Sequence, residues 1–128
     1  MGIPFGYVLA LAGTPAERVE ALGLTETALA QQPHYLLRAA LLDTRADLLF
    51  RLGRTPDALV AYRELSSTAG GMTTPEQWHR LGDLAREAGE AGVARAAYEA
   101  ALGKASGQHP LRPIIQLKLD ALPPAAAS

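Results

Sequence analysis

The stretch WHRLGDLAREAGEAGVARAAYEAA, residues 78–101, decides the fold class. A glycine near its middle separates two segments whose apolar residues recur at helical spacing, so each segment predicts a helix and the short link predicts an antiparallel hairpin. Gly82 and Ala94 present almost no side chain, so the two helices can approach closely. We expect Trp78 and Tyr98 to fill the space beside these small residues.

The same plan occurs earlier in the chain. A shift of 36 residues aligns Leu42 with Trp78, Leu48 with Leu84, Gly53 with Gly89, Ala58 with Ala94, Ala61 with Ala97 and Tyr62 with Tyr98. A fainter copy lies further upstream, where Ala21, Thr25 and Ala28 precede Ala58, Tyr62 and Leu65 by 37 residues. A fixed period in this range is typical of stacked helical pairs.

The helix ends can be placed from local signals. Thr14-Pro15-Ala16-Glu17 and Thr74-Pro75-Glu76-Gln77 each predict a Thr N-cap followed by Pro at the first helical position, and Thr55-Pro56-Asp57 is a shorter version. Glycines are expected where helices stop, at Gly13, Gly53, Gly70, Gly71, Gly89 and Gly103. The predicted helices cover about 3–12, 15–32, 35–52, 56–67, 75–88, 91–104 and 112–122. With 25 Ala and 21 Leu in 128 residues, the composition favours an all-α fold.

The spacing Trp78-x2-Leu81-Gly82-x11-Ala94-x3-Tyr98-x2-Ala101 resembles the tetratricopeptide repeat (TPR), a helix-turn-helix unit of about 34 residues. The preceding hairpin keeps Ala46, Leu49, Gly53, Ala58 and Tyr62, but has Leu42 in place of tryptophan and Arg45 where leucine is usual. The first unit keeps only Ala21, Thr25, Ala28 and Pro33. The resemblance departs at Ala85, where an aromatic residue is usual, and at Pro110, the displaced closing proline.

This resemblance implies an all-α, TPR-like α-solenoid of about seven helices. The repeats would cover about 3–33, 35–68 and 75–106, in a single domain spanning 1–122. Residues 111–122 alternate apolar and polar side chains and predict a helix that caps the last repeat; the alternative is an amphipathic helix offered to another chain. Residues 123–128 predict a flexible tail. The apolar N-terminal start has no matching cap, so the chain could dimerise there or be a domain of a longer protein.

Several function classes find no support in the sequence. The chain has no cysteine, and its net charge of −1 gives no general attraction to nucleic acid or anionic membranes. No phosphate loop, zinc-protease helix or serine elbow occurs. His79 with Asp83, and Asp43 with Asp47, are each one helical turn apart, but two ligands or two adjacent acids are better explained as solvated pairs. We therefore expect no enzyme activity, no cofactor and no metal site.

The expected location is the cytoplasm. The apolar run from Ile3 to Ala12 is not preceded by Lys or Arg, so it fits a buried first helix better than an export signal. No later segment is long and apolar enough for a membrane span. Ten Arg against two Lys are typical of a GC-rich bacterial genome.

The TPR resemblance also implies a binding surface, because the first helix of each repeat lines a concave groove in that family. Carried over by position, the groove residues are Ala40, Asp43, Asp47, Phe50, Arg51, Glu76, His79, Asp83, Arg86 and Glu87. Five acids and two arginines make this surface mildly acidic, with Phe50 as an apolar anchor. The expected partner is a protein or peptide with basic and apolar residues. Two alternatives remain open: these are ordinary solvated helix faces, or the module serves self-association, as a homo-oligomer or within a larger bacterial signalling or transcription assembly.

Overall fold

The computed structural model describes residues 13–124 of the chain, and this range contains six α-helices and no strand. They are α1 (Pro15–Ala30), α2 (Tyr35–Arg51), α3 (Thr55–Ser66), α4 (Pro75–Glu87), α5 (Ala91–Lys104) and α6 (Leu111–Ala121). The all-α prediction is confirmed, and each of these helices ends within two residues of its predicted bounds. The predicted helix over 3–12 and the end of the predicted tail, 125–128, lie outside the described residues.

The two strongest capping predictions are confirmed. The Thr14 hydroxyl accepts a hydrogen bond from the Glu17 backbone N–H at 3.2 Å. Thr74 and Gln77 form a reciprocal capping box, in which the Gln77 N–H donates to the Thr74 hydroxyl (3.3 Å) and the Thr74 N–H donates to the Gln77 side chain (3.0 Å). The prediction for Thr55 is wrong by one position, since this residue is the first of α3 rather than its cap.

Gly53 and Gly89 end the first helices of the two matched hairpins. Their φ angles of 73° and 78° are in the left-handed region, which only glycine enters without strain. The end predicted for α5 is confirmed, because the helix runs from Ala91 to Lys104 and so ends one residue after Gly103. The Ala105 N–H donates to the Ala101 carbonyl at 3.0 Å.

The chain forms two compact units, of which residues 13–71 and 72–124 are described. In the N-terminal unit, α1 packs on α2 and α2 packs on α3. Its largest fully buried side chains are those of Leu42, Leu48, Tyr62, Leu65, Thr25 and Thr44. The two buried threonines donate to carbonyls four residues earlier, at 2.8 Å and 3.1 Å, so their hydroxyls are satisfied within their own helices.

In the C-terminal unit, α4 and α5 form a close hairpin, and α6 packs on both. The predicted role of Gly82 is confirmed, because a Cβ atom there would lie 2.4 Å from Cε1 of Tyr98. Tyr98 is fully buried, whereas Trp78 is only partly buried. Ile115 of α6 is also fully buried, so this helix packs apolar side chains within the unit. Its role as the cap of the last repeat stays a prediction.

The spacing of the helices agrees with the internal repeat. The second helix of the later hairpin, α5, begins 36 residues after α3, and α6 begins 36 residues after α4. Adjacent helices within each unit pack against each other, which is consistent with a helical-repeat solenoid. The stacking of all repeats into one domain stays a prediction.

Candidate functional site

Five of the predicted groove residues lie on α2 of the N-terminal unit, and Ala40 is the first of them along the chain. Their spacing over two turns places Asp43, Asp47, Phe50 and Arg51 on one side of the helix. The Arg51 Nε donates to the Asp47 Oδ2 at 2.8 Å, so these two charges are paired along the helix. Phe50 is 37% exposed. The surface therefore combines carboxylates, one paired guanidinium and an accessible aromatic ring.

The other five predicted residues lie on α4 of the C-terminal unit. The structure brings His79, Asp83 and Arg86 together, with 3.4 Å between the His79 and Asp83 side chains and 3.7 Å between those of Arg86 and Asp83. Glu76 accepts a hydrogen bond from the His109 ring at 3.1 Å, and Glu87 is exposed. This face is contacted by side chains from later in the chain.

Asp83 is the centre of a polar cluster that the sequence analysis did not predict. The Lys118 Nζ, on α6, donates to both Asp83 carboxylate oxygens at 2.9 Å and 3.0 Å and to the His79 Nε2 at 2.7 Å. The Tyr98 hydroxyl, on α5, donates to the Asp83 Oδ1 at 2.5 Å. Three helices therefore meet at one carboxylate, whose charge is compensated within the unit.

The environment of the cluster shifts the pKa values of two of its side chains. Burial lowers the pKa of His79, and the nearby Lys118, Arg86 and Arg80 act in the same direction, while Asp83 opposes them. The geometry agrees, because an imidazole that accepts from an ammonium group at Nε2 must be neutral and carry its proton on Nδ1. Burial, followed by the hydrogen bond to Asp83, raises the pKa of Tyr98 well above its ordinary value.

An ion-pair group in the N-terminal unit was also missed. The Glu64 carboxylate, on α3, is paired with Arg45 and lies 3.5 Å from the Arg38 guanidinium, both on α2. Arg45 and Glu64 line an open cavity of about 360 Å³, together with Leu22, Glu26, Leu49, Arg54, Asp57, Val60 and Ala61. The sequence signal was Arg45 itself, which stands where the resembled repeat has leucine.

The described residues contain neither a group of potential metal ligands nor a helix that could span a membrane. Between residues 13 and 124, no three His, Asp or Glu side chains are grouped so that they could hold a metal ion. Over the same range, no helix combines the length and apolarity that crossing a membrane requires. The arrangement is that of helical faces carrying charge pairs and exposed apolar side chains.

Comparison with known families supports the sequence interpretation. Residues 65–124 match the family model of the tetratricopeptide repeat-like domain, a segment that includes α4, α5 and α6. The predicted resemblance is confirmed for this segment. Comparisons with curated proteins and with solved structures give no match.

Proposed function

We propose that this chain is a non-catalytic protein-interaction module whose α2 face binds a peptide or protein segment with basic and apolar side chains. Tetratricopeptide repeat-like domains generally mediate protein interactions, and the match over residues 65–124 supports that class of function here. Such repeats present side chains from regular helices, which hold a binding surface in a fixed arrangement.

The observation that carries the proposal is the exposed Phe50 ring beside carboxylates. Leu48 and Leu49, its neighbours along α2, are 1% and 7% exposed, whereas Phe50 is 37% exposed. A partner's apolar side chain would gain contact area on the ring, since aromatic anchors commonly dominate binding energy. Asp43 and Asp47 on the same side would favour a partner that places Lys or Arg beside that apolar group.

The α4 face is proposed to contribute less. Its central acid, Asp83, already accepts hydrogen bonds from Lys118 and Tyr98. A basic partner would have to replace contacts that the unit makes for itself, so little net attraction remains there. Of the α4 residues, Glu87 at the exposed end is the better candidate for a partner contact.

The test starts from a displayed library of random peptides selected on the wild-type protein. The dissociation constant of the selected peptide is then measured by fluorescence anisotropy for wild type, Phe50→Ala, Asp43→Asn and Leu36→Ala. Leu36 is the matched control, because it is an apolar residue of the same helix and is 64% exposed.

We expect Phe50→Ala to weaken binding by about tenfold or more, equivalent to about 1.4 kcal/mol. Asp43→Asn should weaken it less and reduce its dependence on salt. Equal losses for Phe50→Ala and Leu36→Ala, or selected peptides without basic residues, would contradict the proposal.

A further inference from the structure

Lys118 of α6 is bound to α4 through all three of its N–H groups. Its Nζ lies 2.9 Å and 3.0 Å from the two carboxylate oxygens of Asp83, and 2.7 Å from the Nε2 of His79. An ammonium group has three donors and no acceptor, so each N–H has a partner here. The contact with His79 requires a neutral imidazole, because a protonated Nε2 cannot accept a hydrogen bond.

Protonation of His79 removes the acceptor on which this contact depends. An imidazolium donates from both ring nitrogens, so no rotation of the ring gives Lys118 an acceptor again. Two donors facing each other at 2.7 Å would also place two positive charges in contact. An acceptor for the new N–H lies close by, since the Asp83 Oδ2 is 3.4 Å from the His79 Nε2. His79 and Lys118 therefore compete for one carboxylate once the ring is charged.

The charged and titratable groups near His79 come from α4, α5 and α6. They are Asp83, Arg80 and Arg86 on α4, Tyr98 on α5, and Lys118 on α6. Asp83 favours the charged ring, whereas the three cations oppose it. The Tyr98 hydroxyl already donates to Asp83, and Arg86 lies 3.7 Å from the same carboxylate. The side chain of His79 is 17% exposed, so water compensates an additional positive charge only in part.

His79 has an advantage in the competition for Asp83. The two residues are one turn apart on the same helix, so their side chains can pair without any movement of the backbone. Asp47 and Arg51 make a pair of this kind in the earlier hairpin. Lys118 must instead hold its long side chain extended from another helix, at the cost of rotamer freedom. We propose that protonation of His79 displaces Lys118 from Asp83, replaces the bridge between α4 and α6 by a pair within α4, and opens the C-terminal half of α6.

The beginning of α6 keeps its attachments when His79 is charged. Arg112, in the first turn, donates to two carbonyl oxygens at the end of α5, and neither kind of group titrates near neutral pH. Just before the helix, the His109 ring contacts the Glu76 carboxylate at 3.1 Å, and a protonated His109 can still donate to it. The movement is therefore expected in the half of α6 that contains Lys118.

Opening exposes the apolar side chains at the end of α6. Leu119 and Leu122 are 9% and 8% exposed in the closed form. Beyond the helix, Arg95 donates to the Pro123 carbonyl, but this bond is at the surface and can be exchanged for bonds to water. The C-terminal unit thus carries an apolar surface that is covered at neutral pH and uncovered in acid.

The direction of the pH dependence follows from the difference between the closed and open forms. Burial, together with Lys118 and two arginines, lowers the pKa of His79 in the closed form. In the open form this pKa returns toward the ordinary value of about 6.5. The open form therefore binds a proton more readily, and its population rises as the pH falls below that value, until the closed form is protonated as well.

Hydrogen exchange of the backbone amides, measured by NMR, tests the opening. Rates are compared at about pH 7.5 and about pH 5 for wild type, His79→Gln and His34→Gln, after division by the intrinsic exchange rates at each pH. A glutamine side chain at position 79 can accept from Lys118 but does not titrate. His34 is the matched control, because it is exposed and lies in the other unit.

In the wild type, acid should reduce the protection of residues 119–121 about threefold or more relative to the amides of α5. His34→Gln should show the same loss, and His79→Gln should show none. Circular dichroism checks that each variant keeps its helices. A loss of protection that is equal in α5 and α6, or one that persists in His79→Gln, would overturn the proposal.

A further variant tests the role of Lys118. In Lys118→Met the bridge to Asp83 is absent at every pH, so residues 119–121 should already be less protected at about pH 7.5, and acid should reduce their protection no further. The nitrogen chemical shifts of the wild-type His79 ring should place its proton on Nδ1 at the higher pH. A proton on Nε2, or a full response to acid in Lys118→Met, would contradict the displacement mechanism.

Discussion

The α2–α3 and α4–α5 hairpins share one 36-residue plan but place their polar groups differently. Where the later hairpin has Leu81 and Ala100, the earlier one has the ion pair of Arg45 and Glu64. Leu81 is buried, whereas Arg45 lines an open cavity. The comparison shows that the two hairpins share small and aromatic residues at fixed positions, while an ion pair in one replaces two apolar residues of the other.

The equivalent aspartates of the two hairpins, Asp47 and Asp83, also differ in their contacts. Asp47 pairs with Arg51 one turn further along its own helix, whereas Asp83 binds groups from two other helices. A local pair on a helix surface contributes about 0.3–0.5 kcal/mol. Hydrogen bonds to a charged, partly buried group contribute more. The same residue at the same position therefore pairs with an arginine of its own helix in one hairpin and joins three helices in the other.

The largest expected effect comes from Gly82→Ala. The new methyl group would overlap the Tyr98 ring, so we expect the C-terminal unit to lose about 2–3 kcal/mol of unfolding free energy. Urea unfolding followed by the fluorescence of Trp78, the single tryptophan, reports on this unit. The control is Gly92→Ala, which has open space around the added atom and should be neutral or slightly stabilising. The equivalent residue of the earlier hairpin is Ala46. That hairpin therefore carries the methyl group that we expect to destabilise the later one.

A smaller effect is expected from removing the lysine of the Asp83 cluster. Lys118→Met should cost the C-terminal unit about 1–2 kcal/mol, because a partly buried carboxylate loses its compensating charge. A double-mutant cycle with Asp83→Asn should give a coupling of about 1 kcal/mol. The same cycle on Asp47 and Arg51 should give at most about 0.5 kcal/mol. Equal couplings in the two cycles would remove the distinction between the hairpins.

A still smaller effect is expected from pH. Because the pKa of His79 is lower in the folded state, the unfolded chain binds more protons as the pH falls below the ordinary histidine value of about 6.5. The contribution of His79 to the unfolding free energy of the C-terminal unit should be fully present above that value and should be lost as the pH falls toward the folded-state pKa. His79→Gln should reduce this dependence of stability on pH. His34→Gln, at an exposed position in the other unit, should leave the dependence unchanged. A slope that persists in His79→Gln would show that another group causes it.

The smallest net change is expected when the earlier hairpin is converted to the later pattern. Arg45→Leu combined with Glu64→Ala should alter stability by less than about 1 kcal/mol, since a partly buried ion pair contributes little over an apolar pair. Glu64→Ala alone should cost about 1 kcal/mol or more, because Arg45 then loses its carboxylate. Thermal unfolding by circular dichroism measures both variants. A large loss in the double variant would show that the ion pair is needed for the fold.

The features that were predicted from sequence depend on local spacing. Thr14 and Thr74 cap their helices through backbone groups three residues away. Hydrogen bonds between residues so close in sequence can be predicted from the sequence itself. The contact of Gly82 with Tyr98 was predictable because the hairpin's short link fixes which residues face each other.

The candidate site could be predicted only in part, because its contacts depend on where a distant helix packs. The positions of Asp83 and Phe50 on their helices followed from the repeat. The contact of Asp83 with Lys118 joins residues 35 apart in sequence, and its existence depends on how α6 packs against the hairpin. Arg45 was recognised as a departure from the repeat pattern, but its partner Glu64 lies 19 residues away on the next helix and had no distinguishing signal.

The attachment of α6 has a consequence for the order in which the protein is made. The Arg112 guanidinium donates to the carbonyls of Leu102 and Ala105 at the end of α5, and Lys118 donates to Asp83 on α4. At about 5–20 residues per second, a ribosome needs about 2–7 s to add the 35 residues that lead from Asp83 to Lys118. During that time the Asp83 carboxylate lacks its Lys118 partner. The C-terminal unit is therefore completed by the addition of α6, after its hairpin has been synthesised.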